Sequence, residues 1–178
     1  MGSIDEIMSR SMVCIESLSS SSSPTVLESA RALFLAYGDF LRSSGERDGF
    51  GFERLQGEIL DLPAAYAANN GAVLVAVVEG FSIGCIAFRE FPRCVEQDRC
   101  EIKRLFVLPE YRGCGIGLRL ATAALERARL KGYRFAYLDT EPIVMAAAHR
   151  MYLKLGFVEY DSRGAGVASV SFLRKPLI

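Results

Sequence analysis

The stretch from Glu101 to Lys131, EIKRLFVLPEYRGCGIGLRLATAALERARLK, decides how this chain folds. Glu101 to Leu108 reads as a strand, closed by Pro109 and Glu110. Leu118, Ala121, Leu125 and Ala128 or Arg129 then recur at helical spacing through Lys131, with Gly132 as the stop. Between strand and helix lie Arg112-Gly113-Cys114-Gly115-Ile116-Gly117. Three alternating glycines strip side chains from a turn that feeds a helix, and they leave bare N–H groups at the positive end of the helix dipole. Such a turn suits phosphate oxygens.

Downstream, Arg134 to Asp139 reads as a strand, Val144 to Lys154 as a helix capped by Gly156, and Phe157 to Tyr160 and Val167 to Leu173 as closing strands. Upstream, Ala72 to Val78, a tight turn at Glu79-Gly80 and Ser82 to Arg89 form a hairpin. Phe91 to Arg99 is a polar loop before the third strand of this meander. Met12 to Glu16 is a short first strand, and Ser17 to Ser23 a flexible serine-rich loop. Pro24 opens a helix whose apolar face (Val26, Leu27, Ala30, Leu33, Phe34, Tyr37, Leu41) runs through Arg42. Gly45 to Gly51 breaks it, and a shorter helix covers Glu53 to Asp61, ending before Pro63. The order is helices, an antiparallel meander, then strand–helix–strand–helix–strand. It predicts an α+β fold with a mixed sheet and one parallel crossover, since a doubly wound sheet would alternate strand and helix from the start.

A chain of 178 residues, 51% of them hydrophobic, fits one domain spanning 1–178. Lys plus Arg equals Asp plus Glu at 21 each, so charge makes no case for nucleic acid or a membrane surface. No apolar run reaches the roughly 18 residues of a spanning helix. Asp5, Glu6 and Arg10 have no apolar core behind them, so no signal peptide is expected. Five cysteines (14, 85, 94, 100, 114) without framework spacing suit a reduced, cytoplasmic protein and disfavour a Cys94–Cys100 bridge. His149 is the lone histidine and offers no metal site.

Three phosphate-loop templates compete. A P-loop needs Gly-Lys-Ser or Gly-Lys-Thr, but Leu118-Arg119 follow the last glycine. A dinucleotide fingerprint needs G-x-G-x-x-G; Gly113, Gly115 and Gly117 space as G-x-G-x-G, although Asp139 stands near the right distance for a ribose contact. The third template, Arg/Gln-x-x-Gly-x-Gly/Ala, is met by Arg112, Gly115 and Gly117. With it the chain resembles the GNAT-type N-acetyltransferases, most tightly from Glu101 to Phe157. VLPEYRGCGIGLRL looks like their acetyl-CoA pyrophosphate loop, and AAAHRMYLKLGF like their later helix ending in Tyr and then Leu-Gly-Phe.

That resemblance implies the GNAT fold, in which the strand before the loop splays from its parallel neighbour and pantetheine lies in the gap. The backbone of Leu105, Phe106 and Val107 would hold the pantetheine amides, and one N–H would polarise the thioester carbonyl as an oxyanion hole does. Residues Arg112, Gly113, Cys114, Gly115, Ile116 and Gly117 would hold the pyrophosphate, with Arg112 or Arg119 adding charge. Tyr152 falls where the family's Tyr protonates the leaving thiolate, or else it is core packing. Glu101 stands where many members place a general base, with Asp139 and Glu141 as rivals, His149 a weaker one, and a cross-strand charge pair the alternative. Met145 replaces an Asn that contacts pantetheine in many relatives. Cys114 is a tolerated variable position. The implied activity is direct transfer of acetyl from acetyl-CoA, without a metal, to a primary amine of a small molecule, amino acid or peptide. The alternative is a CoA-binding sensor or interaction module without turnover. Arg93, Arg99 and Lys103 are candidate partners for an acceptor carboxylate, and a homodimer is left open.

Overall fold

Glu79 and Gly80 take φ of 50° and 83°, the backbone that a two-residue hairpin turn needs to match the twist of its strands. This turn joins β2 (Ala72–Val78) to β3 (Phe81–Glu90), and β4 (Arg99–Val107) continues the antiparallel meander. The computed structural model describes residues 12–43, 52–91, 98–160 and 170–178. The break expected at Gly45–Gly51, the residues Arg93 and Cys94, and the first residues of the expected Val167–Leu173 strand lie outside that set.

In chain order the other elements are β1 (Cys14–Ser17), α1 (Pro24–Ser43), α2 (Phe52–Leu60), α3 (Leu62–Ala67), α4 (Ile116–Leu130), β5 (Phe135–Thr140), α5 (Ala146–Lys154), β6 (Val158–Glu159) and β7 (Ser171–Pro176). The seven strands form one mixed sheet in the order β1-β2-β3-β4-β5-β7-β6, parallel at β4–β5 and antiparallel at every other pairing. β2 lies inside this sheet with helices over both faces, which is why AVLVAVV is apolar without alternation and buried from Val73 onward.

Each face of the sheet carries its own core. Over one face α4 lays Ile116, Leu120, Ala121, Ala124, Leu125 and Ala128 against Ile86, Phe88, Ile102 and Leu138. Over the other, α1 and α3 pack Phe34, Leu33 and Tyr66 on Val73, Val75 and Phe106. Ala121, Leu125 and Ala128 face the core as expected, whereas Leu118, at the edge of that stripe, is 47% exposed, and Ile116, Leu120 and Ala124 complete the buried face. Arg129 stands on the outer face, paired with Glu126.

Three other stretches go beyond the sequence reading. The helix α2 ends before Pro63 as expected, but a further helix not read from the sequence, α3, follows at once: Pro63 sits in its first turn, where the missing N–H costs nothing, and Asp61 caps it by accepting from the Ala64 N–H at 3.1 Å. The serine-rich stretch is a loop, and hydrogen bonds of its own cross it. Ser17 ends β1 opposite Leu74, the Ser19 and Ser21 hydroxyls bond each other, and the Ser23 hydroxyl accepts from the Val26 N–H at the start of α1. The last strand is described from Ser171 and runs on to Pro176.

Replacing Asp61 by alanine leaves the α3 N-terminus uncapped. It should lower unfolding stability by about 1 kcal/mol in urea titration.

Candidate active site

The alternation of β4 breaks at one residue. Cys100 and Ile102 enter the core beneath α4, whereas Phe106, of the same parity, enters the opposite core. The extra residue is Arg104, which adopts φ +59°. On β3, Cys85 pairs with Phe106 and Ala87 with Lys103, so two β3 steps face three on β4. This is a β-bulge, and it exchanges the faces of every later side chain. Pairing with β5 ends at Glu101 opposite Tyr137, while β4 continues along β3 to Val107. The main chain of Leu105, Phe106 and Val107 thus edges a gap between strands that have parted.

Arg104 is held by a network that the sequence reading missed. The residue is 5% exposed; its guanidinium donates to both carboxylate oxygens of Glu58, at 3.0 and 3.2 Å, and Tyr66 donates to the same carboxylate at 2.8 Å. A left-handed arginine costs about 1–2 kcal/mol; a bidentate, buried, charge-assisted pair offsets it. The signal was a charged residue at an inward position of a strand. Nothing in the sequence identified its partner 46 positions away.

Beyond this pair lies a second cluster. Arg89 donates to Glu101 at 2.9 Å and comes within 4.0 Å of Glu58, and Lys103 reaches Glu101 at 3.3 Å. Burial alone would raise the Glu101 carboxyl, but Lys103 and Arg89 outweigh it and hold it below the usual carboxylate range. Asp139, near the end of β5, shifts the other way: loss of water first, and the Glu101 charge second, push its carboxyl up. Its surface remains open to solvent, so the protein surrounds this carboxylate without sealing it. The glutamate singled out from sequence is therefore the weaker proton acceptor of the two. Glu141 lies beyond β5, its carbonyl accepting from the Met145 N–H at 2.7 Å. His149 comes within 3.7 Å of Glu159.

At the far end of β4, Gly113 and Gly115 take φ of 83° and 76° with nothing within 4 Å of a built Cβ, so backbone conformation and not space selects glycine there. Gly115 is the N-cap of α4 and provides no side-chain oxygen, which leaves the first helical N–H groups available to a ligand. Ile116 belongs to this turn by its backbone, while its side chain anchors the core at 1% exposure. Cys114 is exposed. Arg112 turns back on its own strand: it donates to the Val107 carbonyl at 2.9 Å and stacks over Phe40 and Phe106. Arg119 donates to the Val13 carbonyl at 2.6 Å, just ahead of β1.

Tyr152, on α5, is 5% exposed and edge-on to Phe157 with ring centres 5.3 Å apart. Burial raises its pKa, and Tyr37 on α1 adds to the effect. Its hydroxyl has no hydrogen-bond partner among the described residues. A separate cleft of 460 Å³, bordered by Leu33, Phe81, Leu108 and Tyr111, includes none of these groups. Among the described residues no cluster of His, Cys, Asp and Glu could hold a metal, and no helix is long and apolar enough to cross a membrane.

The acetyltransferase (GNAT) family model matches residues 39–157, and the chain belongs to that family. An uncharacterized N-acetyltransferase of Schizosaccharomyces pombe is 34% identical over 60% of this chain and 63% of its own length. The N-acetylaspartate synthetase of Xenopus tropicalis is 35% identical over 58% of this chain and 37% of its own. The aligned region is thus under two thirds of the length of either relative. The Salmonella typhimurium protein yncA, solved with its cofactor acetyl-CoA, has the same fold, with a TM-score of 0.68 at 19% identity over 94% of this chain and 95% of that one.

Removing Arg104 strands a buried carboxylate. Arg104→Ala should lower stability by about 3–5 kcal/mol in denaturant titration, and Glu58→Leu, Arg104→Met and Tyr66→Phe combined, which leave no buried polar group stranded, should recover part of it.

Proposed function

We propose that the protein transfers an acetyl group from acetyl-CoA directly to a primary amine of a small molecule, amino acid or peptide, in a ternary complex without a covalent intermediate. The observation that carries this reading is the bulge at Arg104. It lies between a glycine turn able to hold a pyrophosphate and a pair of carboxylates able to take a proton. Acetyl-CoA as donor is further supported by its presence in the yncA structure. An amino-acid acceptor is supported by the name of the N-acetylaspartate synthetase and by Arg99 and Lys103, on the strand that leads into the gap.

Each group has a role in this reading. The amides of residues 113–117 hold the pyrophosphate. An N–H among Leu105, Phe106 and Val107 bonds the thioester oxygen, where negative charge develops during attack. Asp139, with its carboxyl pushed up by burial, takes the proton of the acceptor ammonium, and Glu101 attracts that ammonium electrostatically. Tyr152 returns a proton to the departing thiolate. Burial keeps the phenol protonated, as an acid must be, and among the described residues nothing else takes its proton's hydrogen bond.

Two measurements test this. Calorimetry should show acetyl-CoA binding that is lost in Gly115→Glu, and thiol release should appear with at least one amine of a panel. No binding would sink the reading, while binding without turnover on any amine would make the chain a CoA-dependent sensor or interaction module.

A raised carboxyl stays protonated further up the pH scale, so kcat/KM should rise with pH through a limb above the ordinary carboxylate range. Asp139→Asn should abolish that limb and lower kcat/KM by about 10²–10⁴-fold, whereas Tyr152→Phe should lower kcat by about 10²-fold. A limb unchanged in Asp139→Asn would return the base role to Glu101.

A further inference from the structure

Lysine is scarce in this chain: four lysines stand against seventeen arginines. Lys131 and Lys154 are exposed and Lys175 is half-buried on β7. Lys103 differs from all three. Its side chain keeps 14% of its exposure, and it directly precedes the bulge residue Arg104, two residues past the last β4–β5 pair. Its Nζ lies 3.3 Å from Glu101 Oε2, an oxygen that Arg89 already engages at 2.9 Å. Removal from water lowers its pKa, and although Glu101 pulls the other way, the charges of Arg104 and Arg89 add to the lowering. More of this amine is therefore neutral and nucleophilic than of an ordinary lysine, the same device that activates catalytic lysines.

A primary amine beside the carboxylates that would receive an acceptor's ammonium stands where an acceptor would stand. We propose that Lys103 is an internal acetyl acceptor: when no other amine is bound, its Nζ takes the acetyl group of acetyl-CoA and becomes an N-acetyl-lysine. The inference rests on the acetyl-CoA reading above. Neutral Nζ attacks the thioester carbonyl, an N–C bond forms, and the C–S bond breaks with its electron pair leaving on sulfur. The nitrogen's excess proton passes to Asp139, and the thiolate is protonated by Tyr152, so the products are acetylated protein and CoA. Nothing is oxidised or reduced. Arginine could not serve, because its guanidinium stays protonated.

Acetylation removes the positive charge of Lys103, leaves Glu101 to Arg89 alone, and places an acetamide at the mouth of the gap. The modified protein should turn over external amines more slowly, which makes Lys103 a brake set by acetyl-CoA in excess of acceptor.

The test is to incubate the purified full-length protein with acetyl-CoA and no acceptor and to map acetyl-lysine by peptide mass spectrometry, with acetyl-CoA binding measured by calorimetry on the same preparation. Lys103 should be labelled about 10²-fold faster than Lys131 or Lys154, the margin that base assistance supplies. Excess CoA should suppress the label by competing for the donor, and Lys103→Arg should lack it while still binding acetyl-CoA. Binding with no label at Lys103, equal labelling of the exposed lysines, or labelling that excess CoA leaves unchanged would each overturn the inference without touching the donor reading. Absence of binding would overturn both.

Discussion

The buried pair of Glu58 and Arg104 sets the geometry on which the site depends. Two hydrogen bonds of 3.0 and 3.2 Å hold an arginine at φ +59°, a conformation that its side chain disfavours in isolation. Without that residue in that conformation, β4 would keep its alternation and Phe106 would stay on the face of Ile102. The pair also fastens α2 to the strand, and Tyr66, on α3, fastens the following helix to the same carboxylate. One ion pair thus joins the helical layer to the gap.

The electrostatics follow from the same arrangement. Glu58 faces Arg104 and approaches Arg89; Arg89 in turn holds Glu101, which also holds Lys103. Three cations and two carboxylates share a small, partly dry volume, so a change at one member is felt by the others. Asp139 lies across the gap from this cluster, and the Glu101 charge is the second cause of its upward shift. The two carboxylates are thus pushed in opposite directions, Glu101 towards its charged form and Asp139 towards its neutral one.

Much of this was legible in the sequence. The glycine turn announced itself because positive φ at Gly113 and Gly115 is a local demand that few residues meet. The meander, the crossover helix and the strand after it were readable because their apolar periods are strong. The failures have physical causes too. The helix α3 carries no sign in the sequence because a proline is as much at home in a first helical turn as after a last one, and Leu118 is exposed because it lies at the edge of the buried stripe formed by Leu120, Ala121, Ala124, Leu125 and Ala128. The bulge left no periodic signature. Its cause is a contact over 46 positions, and the pKa order of Glu101 and Asp139 arises from neighbours that only folding assembles.

The central claim is that the glycine turn and the splayed edge of β4 together hold acetyl-CoA. Backbone amide NMR during titration with acetyl-CoA tests it most directly. Shifts should concentrate at Leu105 to Val107 and at Gly113 to Gly117, and extend to Tyr152. Shifts confined to the cleft beside Phe81 and Tyr111, with the amides of the turn unmoved at saturation, would contradict it.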